Sequence, residues 1–393
     1  MSHSTFLVTV SGPDRMGVGA ELFRALHALE GDDVRLMDVA QITIRGTLVL
    51  CAEVSSEAAL THESLMASLQ ETSIEGDGMS FHVEEVVPKD EVDGRRLLVT
   101  LLAPQITARQ LESVFDAIAA SGATCERIVH LASYPVDCYE LIVIGPSHPL
   151  LRASMTLVAK ENGLDLAVQR AGLHRRAKHL VVMDADSTLL QDEVIDLLGE
   201  ASGRAEEVSA ITRSAMDGEI DFAEALRRRV ELLAGLPASV LDDVRAKLRL
   251  APGARTLVRT LQRLGYVPAV VSGGFVEVLA PLLAELDVTY FEANQLEIKD
   301  GVLTGRVVGE ILDRAGKARA LRHFAAEVGV PLEQTVAVGD GANDIDMLSV
   351  AGLGIAFNAK ALVQEHADTA LSVPYLDAVL YFLGISREEI ETV

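Results

Sequence analysis

The sequence predicts a mixed α/β chain: two small α+β modules, then a doubly wound parallel-sheet core carrying a helical cap. Three observations predict it. The strand-like run Phe6–Val10 recurs as Leu97–Leu101, so that Leu7-Val8-Thr9 returns as Leu98-Val99-Thr100, and Pro13 and Pro104 keep the same offset. Continuous apolar runs at Leu180–Met183, Val267–Val271, Thr335–Val338 and Leu353–Phe357 alternate with helical patterns at Ala254–Leu264 and Ala318–Val328. Such runs suit parallel strands covered on both faces. Finally, the stretch between Met183 and Pro252 reads as helix only, with Val194, Ile195, Leu197 and Leu198 at its start and Leu226, Val230 and Leu233 further on.

In the first module the strand is followed by a helix marked by Leu22, Leu26 and Leu29, then by strand-like runs Val39–Ile44 and Leu48–Val54. In the second, Leu111, Phe115, Ile118 and Ala119 mark the helix, and Ile128–Leu131 and Tyr139–Ile144 the strands. The polar stretch Pro88–Arg96 reads as the linker between them, and the basic segment Arg175–His179 marks the change of texture. The resulting division is 1–90, 95–172 and 178–393, with the helical insertion at about 192–252.

The 393 residues carry a formal net charge of −24, which repels nucleic-acid backbones and leaves nucleic-acid binding a poor expectation. Any phosphate site must then hold local cations. Cys51, Cys125 and Cys138 are odd in number and lack metal-ligand spacing, as in a reducing compartment. No apolar run approaches the roughly 18–20 residues of a membrane span, and Met1–Ser4 has no signal-peptide pattern. The expectation is a cytoplasmic protein with neither membrane nor nucleic-acid partners.

In open α/β sheets ligands bind beyond the carboxyl ends of the strands. Here those ends deliver Asp184-Ala185-Asp186-Ser187-Thr188, Ser272-Gly273-Gly274 and Gly339-Asp340-Gly341-Ala342-Asn343-Asp344, while Lys317 opens a helix in between. Asp184 and Asp186, two apart on an extended segment, reach one point, and Asp340 approaches it from another strand. An oxygen-only donor set suits Mg²⁺. A carboxylate attacking a phosphate faces like-charge repulsion, which a metal and a lysine offset. Attack makes an acyl phosphate and splits one hard hydrolysis into two steps, and a second carboxyl of raised pKa can move both protons. Ser272 and the amides around Gly273 can cradle phosphate oxygens.

These segments resemble, in order, the four motifs of the haloacid dehalogenase superfamily, the first in its phosphatase form DxDx[ST], and the chain is identified as a member of it. Glu193, Ala215–Gly218, Phe222, Leu226–Val230 and Val271–Phe275 further resemble the phosphoserine phosphatases, a likeness running from about 178 to 385. That resemblance implies Asp184 as nucleophile and Asp186 as acid and base. It implies Mg²⁺ held by Asp184, the Asp186 carbonyl and Asp340, with Asp344 behind them. Ser272, Gly273, Lys317 and Asn343 would bind phosphate; Glu193 would take the substrate ammonium and Arg229 its carboxylate. Met216 and Phe222 either pack the cap or shape its pocket; Arg227 and Arg228 read as a solvated helix face. The implied reaction turns O-phosphoserine into serine and phosphate, the last step of serine biosynthesis.

The N-terminal modules resemble ferredoxin-like ACT domains, which bind amino acids. Gly12–Gly17 matches their first turn, so Asp14 and Gly17 become candidates for an effector site, with serine the expected effector; Ala103–Ala108 in the second module lacks the Asp-Arg pair and the glycine. ACT domains also imply a homodimer. Two other functions remain open: the same chemistry on another small phosphomonoester or another acceptor, and an amino-acid-binding regulatory protein with an idle phosphatase half.

Overall fold

Alternation along Ser4–Pro13 (β1) turns Phe6, Val8 and Val10 to one buried face. The computed structural model describes residues 4–29, 34–56, 60–76, 78–87, 95–145, 147–172, 175, 177–216 and 219–391. They fall into two units, Met1–Asp93 and Gly94–Val393.

The first unit continues with α1 (Val18–His27), β2 (Arg35–Ile44), β3 (Thr47–Ser56), α2 (His62–Gln70) and β4 (Ser80–Val86). Its antiparallel sheet runs β2-β3-β1-β4, the ferredoxin-like order. Leu22, Leu65 and Leu69 from the helices pack on Val8, Val10, Leu50 and Val54. By contrast β2 is exposed along its whole length, including Leu36, Met37, Val39, Ile42 and Ile44, and among the described residues it pairs on one side only.

The second unit begins with the same pattern: β5 (Arg95–Ala103), α3 (Ala108–Ala120), β6 (Thr124–Ala132), β7 (Asp137–Gly145), α4 (His148–Asn162) and β8 (Asp165–Arg170), in sheet order β6-β7-β5-β8. A Thr107–Gln110 capping box opens α3, and Gly163, at φ 62°, closes α4. Arg95 and Arg96, expected in the linker, already belong to β5, while the rest of that linker, 88–94, lies outside the described residues.

Next come β9 (Leu180–Asp184), the cap helices α5 (Val194–Ala201), α6 (Ala205–Met216), α7 (Phe222–Glu231) and α8 (Val240–Arg245), then α9 (Ala254–Arg263), β10 (Val267–Phe275), α10 (Val276–Glu285), β11 (Tyr290–Lys299) and β12 (Val302–Val308). The chain ends with α11 (Arg314–Val328), β13 (Thr335–Gly339), α12 (Ile345–Val350), β14 (Gly354–Phe357), α13 (Ala361–Gln364), β15 (Thr369–Leu371), α14 (Val379–Phe382) and α15 (Arg387–Glu391). The sheet order is β12-β11-β10-β9-β13-β14-β15, parallel except where β12 turns back on β11. That hairpin escaped the sequence reading, although its tight turn, Asp300-Gly301 at φ 51° and 76°, is a strong hairpin signal.

The helix-covered face of the second module has its own core, around Val99, Val114, Leu141 and Met155. Its opposite face does not stand alone. Leu102, Leu131, Val136, Cys138 and Ala167 join one apolar cluster with Val181, Met183, Tyr381 and Phe382 of the α/β domain. The second module and the α/β domain therefore share a core.

Candidate active site

Register places the motifs. Asp184, last in β9, is paired with Val271, so Ser272 lies one residue further along β10. On the other side Met183 pairs with Val338, so Gly339 and Asp340 emerge beside it. Lys317 sits in the first turn of α11, whose start is capped by the Asp313 side chain accepting from the Gly316 amide at 2.7 Å.

The Lys317 ammonium is fully buried and bridges Asp184 Oδ1 at 2.8 Å and Asp344 Oδ1 at 2.7 Å. Asp184 Oδ1 also accepts from the Ala185 amide at 2.8 Å, and Asp344 Oδ2 accepts from the Gly341 amide at 2.9 Å. Thr188 Oγ1 donates to Asp340 Oδ1 at 3.0 Å. Asp186 leans the other way: the Val194 amide at the start of α5 donates to its Oδ1 at 2.8 Å, and Ser272 Oγ to its Oδ2 at 3.1 Å. Ser272 Oγ accepts in turn from the Gly274 amide at 2.8 Å. Close approach fixes the glycines here, since a methyl on Gly339 would lie 2.5 Å from the Asp344 carboxyl.

Oxygens of Asp184, Asp340 and Asp344 lie within 4.8 Å of one another. Three carboxylates against one lysine leave a surplus of negative charge. Burial and the charge of Asp344 push Asp184 well above the usual carboxylate range, with Lys317 opposing. Burial and Asp344 raise Asp340 to about 6. Burial, then Glu193, raise Asp186 to about 7. Burial alone would lower Lys317, but Asp184 and Asp344 reverse that and hold it above an ordinary lysine. A hard divalent cation fits such a site: the donors are all oxygen, and its charge would cancel the surplus that now favours protons.

On the cap side, Glu193 precedes α5 and its Oε1 accepts from Ser187 Oγ at 2.7 Å. Ser187 is in the left-handed region at φ 56°. Arg229, on α7, is only 9 % exposed. Its Nε donates to the Ala225 carbonyl at 3.3 Å and its Nη1 to Thr212 Oγ1 at 3.4 Å, and among the described residues no carboxylate lies within ion-pair distance. Burial lowers its pKa, while Asp196, Glu193 and Asp186 act against that. The Phe222 ring reaches the end of β10, where a methyl on Gly273 would lie 3.2 Å from its Cζ. Arg227 and Arg228 are exposed, the latter paired with Glu224. Asn343 is half-buried beside Gly341. Met216 ends α6, and its side chain lies outside the described residues.

Three neighbours escaped the sequence reading. Asn294, 2 % exposed, donates to the Gly273 carbonyl at 2.9 Å and accepts from the Leu312 amide at 2.8 Å. Ser187 and Thr212 hold Glu193 and Arg229 as described. Asn294 lies on β11 with no motif around it; Ser187 stood inside the first motif and could have been weighed.

In the first unit, Asp14 is exposed and its amide donates to the Gly46 carbonyl at 2.7 Å. Gly17, at φ 94°, precedes α1 with no side-chain cap on that helix. The matching helix start in the second module is closed by Thr107, which accepts from the Gln110 amide.

A haloacid dehalogenase-like hydrolase family matches residues 181–349, and ACT domain families match 4–83 and 97–169. The chain is 50% identical over 390 residues to a phosphoserine phosphatase of Streptomyces coelicolor, covering 98% of this chain and 94% of that one. It is 48% identical over 393 residues to phosphoserine phosphatase SerB2 of Mycobacterium tuberculosis, with the same coverage. A solved phospho-aspartyl intermediate analogue of phosphoserine phosphatase matches at 42% identity and a TM-score of 0.50, covering 52% of this chain and 98% of that one.

Proposed function

The chain belongs to the phosphoserine phosphatase family of haloacid dehalogenase-like hydrolases, with two ACT domains before the catalytic domain, and on that premise we propose how its residues hydrolyse O-phospho-L-serine to serine and phosphate. The functional parts are 1–90, 95–172 and 178–393, with the cap at about 192–252.

The enzyme is metal-dependent, and Mg²⁺ is the proposed ion. Asp184, Asp340 and the Asp186 carbonyl would hold it, with Asp344 behind them, and when bound it neutralises charge on the phosphoryl oxygens. Asp184 Oδ1 is occupied by Lys317 and the Ala185 amide, which leaves Oδ2 to attack phosphorus. Lys317, Ser272, Gly273 and Asn343 bind the phosphoryl oxygens. Asp186, whose carboxyl is raised by burial and by Glu193 in the metal-free site, gives its proton to the departing serine oxygen. It then takes a proton from the water that cleaves the aspartyl phosphate.

Recognition of the amino acid falls to Glu193 for the ammonium and Arg229 for the carboxylate, while Phe222 and Met216 either pack the cap or shape its pocket. The observation that carries this reading is Arg229: a buried guanidinium with no carboxylate at ion-pair distance among the described residues, supported by two neutral acceptors. Such a group is poised for an incoming anion. Turnover of L-phosphoserine and of p-nitrophenyl phosphate by wild type and Arg229→Ala, with and without Mg²⁺, tests it. The expected result is a loss of roughly 10–100-fold in kcat/KM on phosphoserine, the worth of a charged hydrogen bond, with the simple ester spared. Equal loss on both substrates would overturn the assignment.

Serine is the proposed effector, at the first module. The uncapped start of α1 at Gly17, next to Asp14, supports that site, whereas the Thr107 cap argues against the equivalent place in the second module. A homodimer is proposed through the first module, supported by the one-sided, apolar β2. A cytoplasmic location is part of the same proposal, supported by three free cysteines. Among the described residues no helix is long and apolar enough to cross a membrane.

A further inference from the structure

The cap is inserted between two short segments, 189–192 going out and 249–253 coming back. They pair: Leu190 bridges Leu250, the Gln191 amide donates to the Arg249 carbonyl at 2.9 Å, and the Ala251 amide to the Leu189 carbonyl at 2.9 Å. Arg249 also binds Asp192 at 2.6 Å. This pair is the cap's covalent attachment. Further along, the cap also meets the core where Gly235, Leu236 and Ala238 hydrogen-bond with Gly301 and Leu303 and where Arg245 Nη2 donates to the Glu277 carbonyl at 3.0 Å, so the pair sets the end of the cap that carries Glu193.

The returning segment has a second anchor. The Leu376 amide donates to the Pro252 carbonyl at 2.8 Å, and the Asp377 carboxylate lies against Gly253, where any side chain would collide with it. Leu376, Tyr381 and Phe382 are buried, so this C-terminal stretch forms a fixed wall. What holds the wall is β8 of the second ACT module. Gln169 Nε2 donates to the Phe382 carbonyl at 2.8 Å, backed by Arg175 Nε at 3.4 Å. Asp165 Oδ2 accepts from the Ser372 amide at 2.6 Å, and the Leu166 carbonyl from Thr369 Oγ1 at 2.9 Å. Arg175 in turn is in a buried ion pair with Glu140 on β7.

We propose that the second ACT module is a positioning element of the phosphatase site: Asp165 and Gln169, through the segment 372–382, fix the linker returning from the cap and so set where Glu193 and Arg229 stand over Asp184. This rests on the assignment of Glu193 and Arg229 to the amino-acid part of the substrate. The route is made of hydrogen bonds to backbone groups, and removing the Gln169 donor leaves the Phe382 carbonyl with only the longer bond from Arg175 Nε at 3.4 Å. The second module then differs in kind from a tethered sensor, because its sheet face is part of the catalytic domain's core.

Gln169→Met in the full-length enzyme keeps the side-chain length and removes only the donor. Hydrogen exchange and steady-state kinetics on phosphoserine and p-nitrophenyl phosphate read the effect. Faster amide exchange is expected at 376–384 and also at 249–253. KM for phosphoserine should rise about 3–10-fold, the range of one neutral hydrogen bond, with turnover of the simple ester unchanged. In an Arg229→Ala background the same substitution should add nothing to KM, since the groups it positions no longer act together. Thr369→Val, nearly isosteric, tests the route by a second bond and should move the same amides.

Exchange that rises at 376–384 while 249–253 and KM stay at wild-type values would overturn the proposal. If Arg229→Ala itself leaves phosphoserine KM intact, the recognition reading falls. Exchange at 249–253 would then still decide the linkage from ACT module to cap return.

Discussion

Lys317→Met removes the single cation from among three carboxylates. Lys317 is fully buried, with its two contacts at 2.8 and 2.7 Å. Removing one partner of a buried ion pair typically costs about 3–5 kcal/mol, and here two carboxylates lose the same partner, so the upper end applies. Protonation relieves part of it, since Asp184 already binds protons more readily than a solvated carboxylate. At roughly 2–3 °C per kcal/mol for a unit of this size, the metal-free variant should melt about 10 °C below wild type. Saturating Mg²⁺ should recover about half of the deficit by returning positive charge to the same oxygens. Activity should stay down by about 10²–10³-fold, the usual worth of one group that stabilises transition-state charge. Calorimetry in EDTA and in MgCl₂, with phosphate release in parallel, measures both. Adding Asp344→Asn should restore much of the stability and none of the activity. A metal-free Tm within about 2 °C of wild type would refute the claim that this lysine neutralises the cluster.

The raised carboxyls give a pH dependence of definite sign. Asp186 and Asp340 bind protons more tightly in the folded chain, at about 7 and about 6 against 3.8 for the ordinary group. Each therefore contributes stability at low pH that is lost as pH rises through those values. Metal replaces the proton, so the Tm difference between Mg²⁺ and EDTA samples should widen from pH 5 to pH 8; a flat difference would contradict the raised values. Gly339→Ala would press a methyl to 2.5 Å from the Asp344 carboxyl. It should lower kcat by at least about 10²-fold through displacement of Asp344 and Lys317, and wild-type kcat would show that the wall yields. Ile42→Lys on the exposed face of β2 should leave phosphoserine turnover intact and shift sedimentation toward the 42.1 kDa monomer; an unchanged mass would place the dimer contact elsewhere.

Much of the fold was legible because its signals are local. The Leu-Val-Thr repeat announced two like modules, and both sheets have the same strand order. Apolar runs announced buried parallel strands, and the polar residues directly after them are the ones that converge at the sheet's carboxyl edge. Lys317 could be placed for the same reason, since its helix starts at that edge. Less legible were pieces defined by their partners. The β11–β12 hairpin has only mixed burial to mark its strands, and its one clear signal, the Asp300-Gly301 turn, was not weighed. Asn294 matters only because β11 passes beside Gly273.

The sequence by itself determined which groups would meet: the carboxylates, the lysine, the hydroxyl turn, and the strand ends that present them. It could do so because strand, turn and helix start are short-range, and the groups within each motif are fixed a few residues apart. Only the tertiary structure decided which charges compensate which. Lys317 lies between Asp184 and Asp344 through the meeting of α11 with two strands, so the raised carboxyl pKa values belong to the assembled site. It also decided that the second ACT module shares the catalytic domain's core and grips the segment behind the cap linker. Those contacts join β8 to residues some two hundred positions later, and a separation that long leaves no pattern in either segment alone.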